Sequence, residues 1–151
     1  MSQFLANCNT MWRFTIALML AVLLPTMVGC GNGLAKVRGT VTLDGQPAGG
    51  DDKYTTVSFH RESGGGAPAV GIVDAAGNYT LKTGSQDGLE PGTYMVTIAV
   101  KKITPPKTQD AMPQSTLISA AKFSRVGESG LRSEVKPGRN SIDFAVSSKG
   151  S

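Results

Sequence analysis

Cysteine is almost missing from this chain: of 151 residues only Cys8 and Cys30 are cysteine. Histidine is rarer still, with His60 alone, and tryptophan occurs once, as Trp12. A small exported fold stapled by several disulfides is thereby excluded. A catalytic or metal centre built from convergent His and Cys has too few members. Long apolar runs are also missing. Phe14 to Leu24 is apolar except for Thr15, but as a helix it would reach only ~16 Å against a hydrocarbon core of ~30 Å. Charge of one sign is not in excess either: 15 Lys and Arg stand against 11 Asp and Glu, a net +4. The charges are scattered along the chain, which argues against a nucleic-acid patch and leaves at most weak attraction to anionic lipid.

What is present begins at the N-terminus. Arg13 precedes the apolar run, Pro25 ends it, and small residues follow, the charged, apolar, small-residue order of a secretory signal peptide. The next residues, Met27-Val28-Gly29-Cys30, resemble a bacterial lipobox, with Met27 where that motif prefers Leu. The resemblance implies a diacylglyceryl thioether on Cys30, cleavage before it, and a mature chain anchored in a membrane by its acyl chains. Each buried methylene adds ~0.8 kcal/mol, so two or three chains hold firmly where one does not. Residues 1–29 are then the lipoprotein signal peptide and 30–35 a lipidated tether. Cys8 is lost with the signal, no disulfide can form, and the domain must be held by its core. Gly31 and Asn32 lack the Asp that retains lipoproteins at the inner membrane in the best-studied sorting system. By that analogy the outer membrane, or the periplasmic face of the envelope, is the expected location.

From Lys36 onward the chain reads as short strands and turns. Lys36 to Leu43 alternates, with Val37, Gly39, Val41 and Leu43 on one face, the period of a half-buried strand. Asp44-Gly45 is a tight-turn pair. Tyr54 to His60 is a second strand with Thr55, Val57 and Phe59 inward. Arg61 to Pro68 is a glycine-rich loop. Ala69 to Val73 and Asn78 to Lys82 flank Asp74-Ala75-Ala76-Gly77, where the Asp74 carboxylate can accept turn amides and Gly77 can take a positive φ. Pro91-Gly92 launches the longest strand, Thr93 to Lys102, with Tyr94, Val96, Ile98 and Val100 inward. Thr104 to Ala121 reads as an irregular excursion with one helical turn near Thr116 to Ala120. Lys122 to Arg125 reads as an edge strand. Leu131 to Val135 and Asn140 to Val146 read as a last hairpin about Pro137-Gly138, and 148–151 as a disordered tail. Seven short strands without a strong helix predict an all-β, antiparallel two-sheet sandwich over 36–147.

The order of these turns, from Val37-Arg38-Gly39-Thr40-Val41 and Asp44-Gly45-Gln46-Pro47 through Asp74 to Leu81 and Leu89 to Ile98, resembles the carboxypeptidase regulatory-like domain. That resemblance implies a seven-stranded Greek-key, prealbumin-like (transthyretin-like) β-sandwich in an extracytoplasmic setting. It implies no activity, because function lives in sites grafted on folds. The single His60 lies on an outward strand face beside Arg61 and Glu62. The ureide hydrolase hosted by the same fold uses several histidines and a characteristic C-terminal tetrapeptide, whereas this chain ends Ser148-Lys149-Gly150-Ser151. Asp51-Asp52 lacks the alternating ligand spacing of a calcium loop. Lys101-Lys102 reads as protection of a sheet edge. Of Tyr54, Tyr79 and Tyr94, two read as core, which leaves little to stack on a sugar. The expectation is a non-enzymatic envelope lipoprotein with no cofactor, metal or nucleic-acid partner, displaying a structural or protein-interaction module. The competing expectation is a glycan or small-solute binding module using the loops Arg61 to Pro68 and Thr104 to Ala121.

Overall fold

The computed structural model describes residues 33–108, 110 and 112–149. The chain divides into Met1–Gly31 and Asn32–Ser151, and everything described lies in the second unit. Met27, Val28, Gly29 and Cys30, with the signal-peptide reading, lie outside the described residues.

The strands are β1 (Lys36–Leu43), β2 (Gln46–Pro47), β3 (Lys53–Arg61), β4 (Ala69–Ile72), β5 (Asn78–Thr80), β6 (Lys82–Thr83), β7 (Gln86–Asp87), β8 (Gly92–Thr104), β9 (Gln114–Leu117), β10 (Leu131–Val135), β11 (Arg139–Ser141) and β12 (Phe144–Val146), the longest of them, β1, β3 and β8, built on alternating inward and outward residues. A 3-10 turn, Ala121–Ser124, is the single helical element among the described residues. The strands form a five-stranded sheet centred on β1, with β11 and β12 on one side and β2 and β5 on the other, and a seven-stranded sheet in the order β10-β8-β3-β4-β6-β7 with β9 also on β8. Their inward side chains meet in one core: Val37, Val41, Val57, Phe59, Leu81, Leu89, Val96, Ile98 and Val100 are fully or almost fully buried. Phe59 bridges the sheets, its ring 5.9 Å from Tyr94 and 6.0 Å from Phe144. The all-β, two-sheet architecture expected from the turn spacing is the one observed.

The structure differs from expectation at several places. The two arms flanking Asp74 to Gly77 do not zip together: β4 pairs antiparallel with β3, whereas β5 pairs with β1 in the other sheet. Leu81 then turns into the core, fully buried, and the chain returns at Lys82 to touch Val70. The last hairpin is likewise a crossover. β10 pairs antiparallel with β8, while β11 and β12 pair parallel with β1, so the five-stranded sheet is mixed. Residues 114–117 form a strand on β8, opposite Thr104 to Lys101, inside the stretch expected to be irregular with a helical turn near Thr116 to Ala120. Being exposed throughout, they carry no apolar period to announce it. Lys101 and Lys102 therefore do not guard an edge, since β8 has β3 on one side and β9 on the other at these residues. Lys122 to Arg125 falls in the 3-10 turn and not in a strand, because Phe123 must turn inward there. At the other end of the domain, Ala35, counted with the tether, is fully buried and exchanges both backbone bonds with Leu89, at 2.7 and 3.0 Å.

Candidate functional site

The turns singled out in the sequence act as fasteners. Asp44 and Gly45 take φ of 50° and 81° in the two-residue loop joining β1 to β2, the left-handed pair that matches strand twist. The Asp44 carboxylate accepts the Ser148 amide at 3.1 Å; Ser148 hydrogen bonding holds its pKa below the ordinary value. Asp74 Oδ1 accepts the amides of Ala76 and Asn78 at 3.0 and 2.8 Å, and Gly77, at φ 89°, donates to the Asp74 carbonyl. Those bonds from Asn78 and its neighbours lower the Asp74 pKa. At the β8 entry, the Tyr94 hydroxyl donates to the Glu90 carbonyl at 2.7 Å across Pro91 and Gly92, a side chain closing its own turn. Gly138, at φ 91°, presents its carbonyl to the Lys36 amide at 2.8 Å, which joins Pro137-Gly138 to the start of β1.

One feature inside the five-stranded sheet has no signature in local sequence. β11 and β12 keep one register against β1, Lys36 opposite Arg139 and Val41 opposite Phe144, but the ladder opens between them at Ile142 and Asp143. The Ile142 carbonyl lies where a Cβ on Gly39 would be, 1.7 Å away. It is capped by the Tyr79 hydroxyl at 2.7 Å. Asp143 Oδ1 takes the Thr40 amide and hydroxyl at 2.7 and 2.9 Å, a side chain standing in for the missing backbone acceptor. Burial, with Asp143 nearby, pushes the Tyr79 pKa far up.

Several concavities among the described residues could receive a partner. One, about 610 Å³, is an open groove along β4, lined among others by Val70, Ile72, Tyr79 and Lys82. Val70 and Ile72 are 39 % and 60 % exposed on the outer face of the seven-stranded sheet, in register with Ser58 and Thr56. Tyr54 and Leu117, both opposite Lys101, expose further apolar surface on that face. The loop after β3 lines a smaller cleft of about 200 Å³ with Arg61, Glu90 and Tyr94. Arg61 is already engaged there: it pairs with Glu90, donates to the Tyr94 hydroxyl, and lies over the Tyr94 ring at 5.6 Å. A third cleft, about 260 Å³, is lined by Thr104, Pro105, Pro106, Lys107, Met112 and Gln114. The two loops named in the ligand-binding expectation lie at opposite ends of β8. Arg61 sits opposite Tyr94 at one end of β8 and the other loop starts at Thr104, about 33 Å further along an extended strand.

His60 Nε2 lies 3.1 Å from the Thr97 hydroxyl on the outer sheet face, and Asp51 and Asp52 are exposed in the turn before β3. Among the described residues no group of three or more His, Cys, Asp or Glu is gathered as a metal site would require. A separate group of residues was missed because it is assembled only by the crossover. Parallel pairing sets Lys36 beside Arg139, with Arg38 two residues along the same face, so charges scattered in sequence are clustered in space. Compared with known proteins, the chain matches no family model, and no curated protein is similar to it at a significant level.

Proposed function

We propose that this protein is a cell-envelope lipoprotein, anchored through acyl chains on Cys30, that displays a non-catalytic prealbumin-like Greek-key sandwich of the carboxypeptidase regulatory-like kind as a protein-interaction or structural module. The observation that carries the reading is the lipobox-like Met27-Val28-Gly29-Cys30 five residues before Ala35, the first fully buried residue of the domain. Supporting the interaction role, the groove along β4 combines exposed Val70 and Ile72 with an open shape, the character of a protein-contact patch. A sugar-binding reading has less support, since Tyr79 and Tyr94 are buried and, of the tyrosines among the described residues, Tyr54 alone is exposed.

The test is the intact mass of protein extracted from membranes. A chain starting at Cys30 and carrying diacylglycerol, lost from the membrane fraction on Cys30→Ser, supports the anchor. Unchanged mass and fractionation in that variant would remove it. Saturable binding to peptidoglycan or to a glycan array would replace the interaction role with the ligand-binding one.

A further inference from the structure

We propose that Lys36, Arg38 and Arg139, gathered on the outer face of the five-stranded sheet by the parallel pairing of β1 with β11, dock the domain against an anionic phospholipid surface. The proposal rests on the reading that Cys30 carries the anchor. Val37 is fully buried, so its neighbours Lys36 and Arg38 project the opposite way. Arg139 is the register partner of Lys36, and Ser141 of Arg38. All three cations are exposed, and together with Thr80 and Asn140 they line a shallow groove of about 340 Å³. Guanidinium groups grip phosphate oxygens in a fork, and Thr80, the register partner of Arg38, adds a neutral hydroxyl for a headgroup.

Among the described residues, none of the three cations is held in an ion pair. The four ion pairs among the described residues are Arg61–Glu90, Lys82–Asp87, Arg125–Glu128 and Arg132–Glu62, and none includes these three. Asp143, the next carboxylate along this face, has its Oδ1 occupied by the Thr40 amide and hydroxyl. Position selects the membrane over other polyanions. Lys36 lies six residues after Cys30, so its Cα stays within about 21 Å of the anchor even when the chain between them is fully extended. A cation group held so close to an acidic bilayer meets its surface potential within a Debye length or two of the lipid headgroups.

The experiment uses full-length protein purified from membranes and reconstituted in phosphatidylcholine vesicles with or without phosphatidylglycerol. Lysines are modified by an amine-reactive reagent, and the rate at each is read by peptide mass spectrometry. Lys36 should react at least about fivefold more slowly on the anionic vesicles, the effect of roughly one cation's attraction, and should recover at high salt. Lys107 and Lys122, toward the far end of β8 and β12, should be unaffected. The exposed double variant Arg38→Gln/Arg139→Gln leaves Lys36 as reporter and should abolish its protection. Equal Lys36 rates on both vesicles, protection of Lys122 as strong as that of Lys36, or protection that survives the double variant would each overturn the proposal. So would equal slowing on neutral vesicles by inorganic phosphate or a soluble anionic polysaccharide. The anchor is judged separately by mass. Acylated protein whose Lys36 ignores vesicle charge keeps the anchor and loses the docking face. Unacylated protein that binds phosphatidylglycerol vesicles with Lys36 protected does the reverse.

Discussion

Replacing Gly39, the one glycine of β1, by alanine should destabilise the domain strongly. Gly39 is not among the residues of positive φ, so alanine can adopt its backbone conformation, and the penalty is collision alone. The added Cβ would stand 1.7 Å from the Ile142 carbonyl oxygen, and backbone cannot swing aside as a flexible side chain can. To restore even a tight 3.0 Å contact, Ile142 must retreat by more than an ångström. That movement breaks the Ile142 amide bond to Arg38 at 2.9 Å and the Tyr79 hydroxyl bond at 2.7 Å, and pulls Asp143 off Thr40. Four bonds at about 0.5–1.5 kcal/mol each come to about 4 kcal/mol. Alanine returns about 0.4–1 kcal/mol by stiffening the unfolded chain. The net loss is then about 3 kcal/mol, a large share of the ~5–15 kcal/mol typical of a domain. Urea unfolding followed by far-UV circular dichroism measures it as a lower midpoint with an unchanged m-value, and heating should show a melting temperature about 10 °C lower. Gly65→Ala, at φ 82° with nothing within 4 Å, is the control and should cost about 1 kcal/mol through its backbone conformation. A Gly39→Ala chain less than about 1 kcal/mol weaker than the parent would refute the close approach of β1 to the open ladder.

Tyr79→Phe should cost about 1–2 kcal/mol by removing the cap on the Ile142 carbonyl. In the parent protein Tyr79 should resist ionisation in a 295 nm titration, and because its folded pKa is raised, its contribution is complete below the unfolded value of about 10 and declines above it. Asp74→Asn should flatten the acid limb of the stability curve. The folded pKa of Asp74 lies below its ordinary 3.8, so its contribution is present above that pH and is lost as the pH falls through the folded value; a melting temperature that declines equally for parent and variant under acid would contradict this. Tyr94→Phe should loosen the β8 entry by about 1 kcal/mol, seen as faster amide exchange at Gly92 and Thr93.

Much of the local structure was legible before any coordinates, because turn chemistry is local. Asp44-Gly45 takes the paired positive φ that its composition suggests, and Asp74 and Gly77 close their turn as their side chains allow. Inward positions were legible for the same reason: Thr55, Val57 and Phe59 alternate, and all are fully buried. What could not be read is which strand each segment joins. β5 follows a turn that would suit a hairpin, yet bonds to β1, because Tyr79 is needed against Ile142 and Phe144. Gln114 to Leu117 is a strand only because the edge of β8 offers it partners. The basic group depends on residues about a hundred positions apart becoming neighbours, and no window along the chain contains it.

The parallel crossover from β10 to β11 links fold and surface. It carries the chain from the seven-stranded sheet to the far side of β1, so the first and last long segments of the domain lie side by side. At the start of β1 this secures the chain on two sides, Ala35 to Leu89 and Lys36 to Gly138. A pull arriving from the N-terminal side is therefore met by bonds to two different loops before it reaches the core. The same pairing places Arg139 next to Lys36 and leaves Glu134, in register with Thr93, on the other sheet. Had β11 instead folded back on β10 as a hairpin, the start of β1 would lose Gly138 as a partner and the cations would be divided between two sheets. The backbone bonds that fasten the start of β1 and the basic group are thus concentrated at one end of the sandwich by a single topological choice, and substitutions that weaken the β1–β11 pairing should weaken both together.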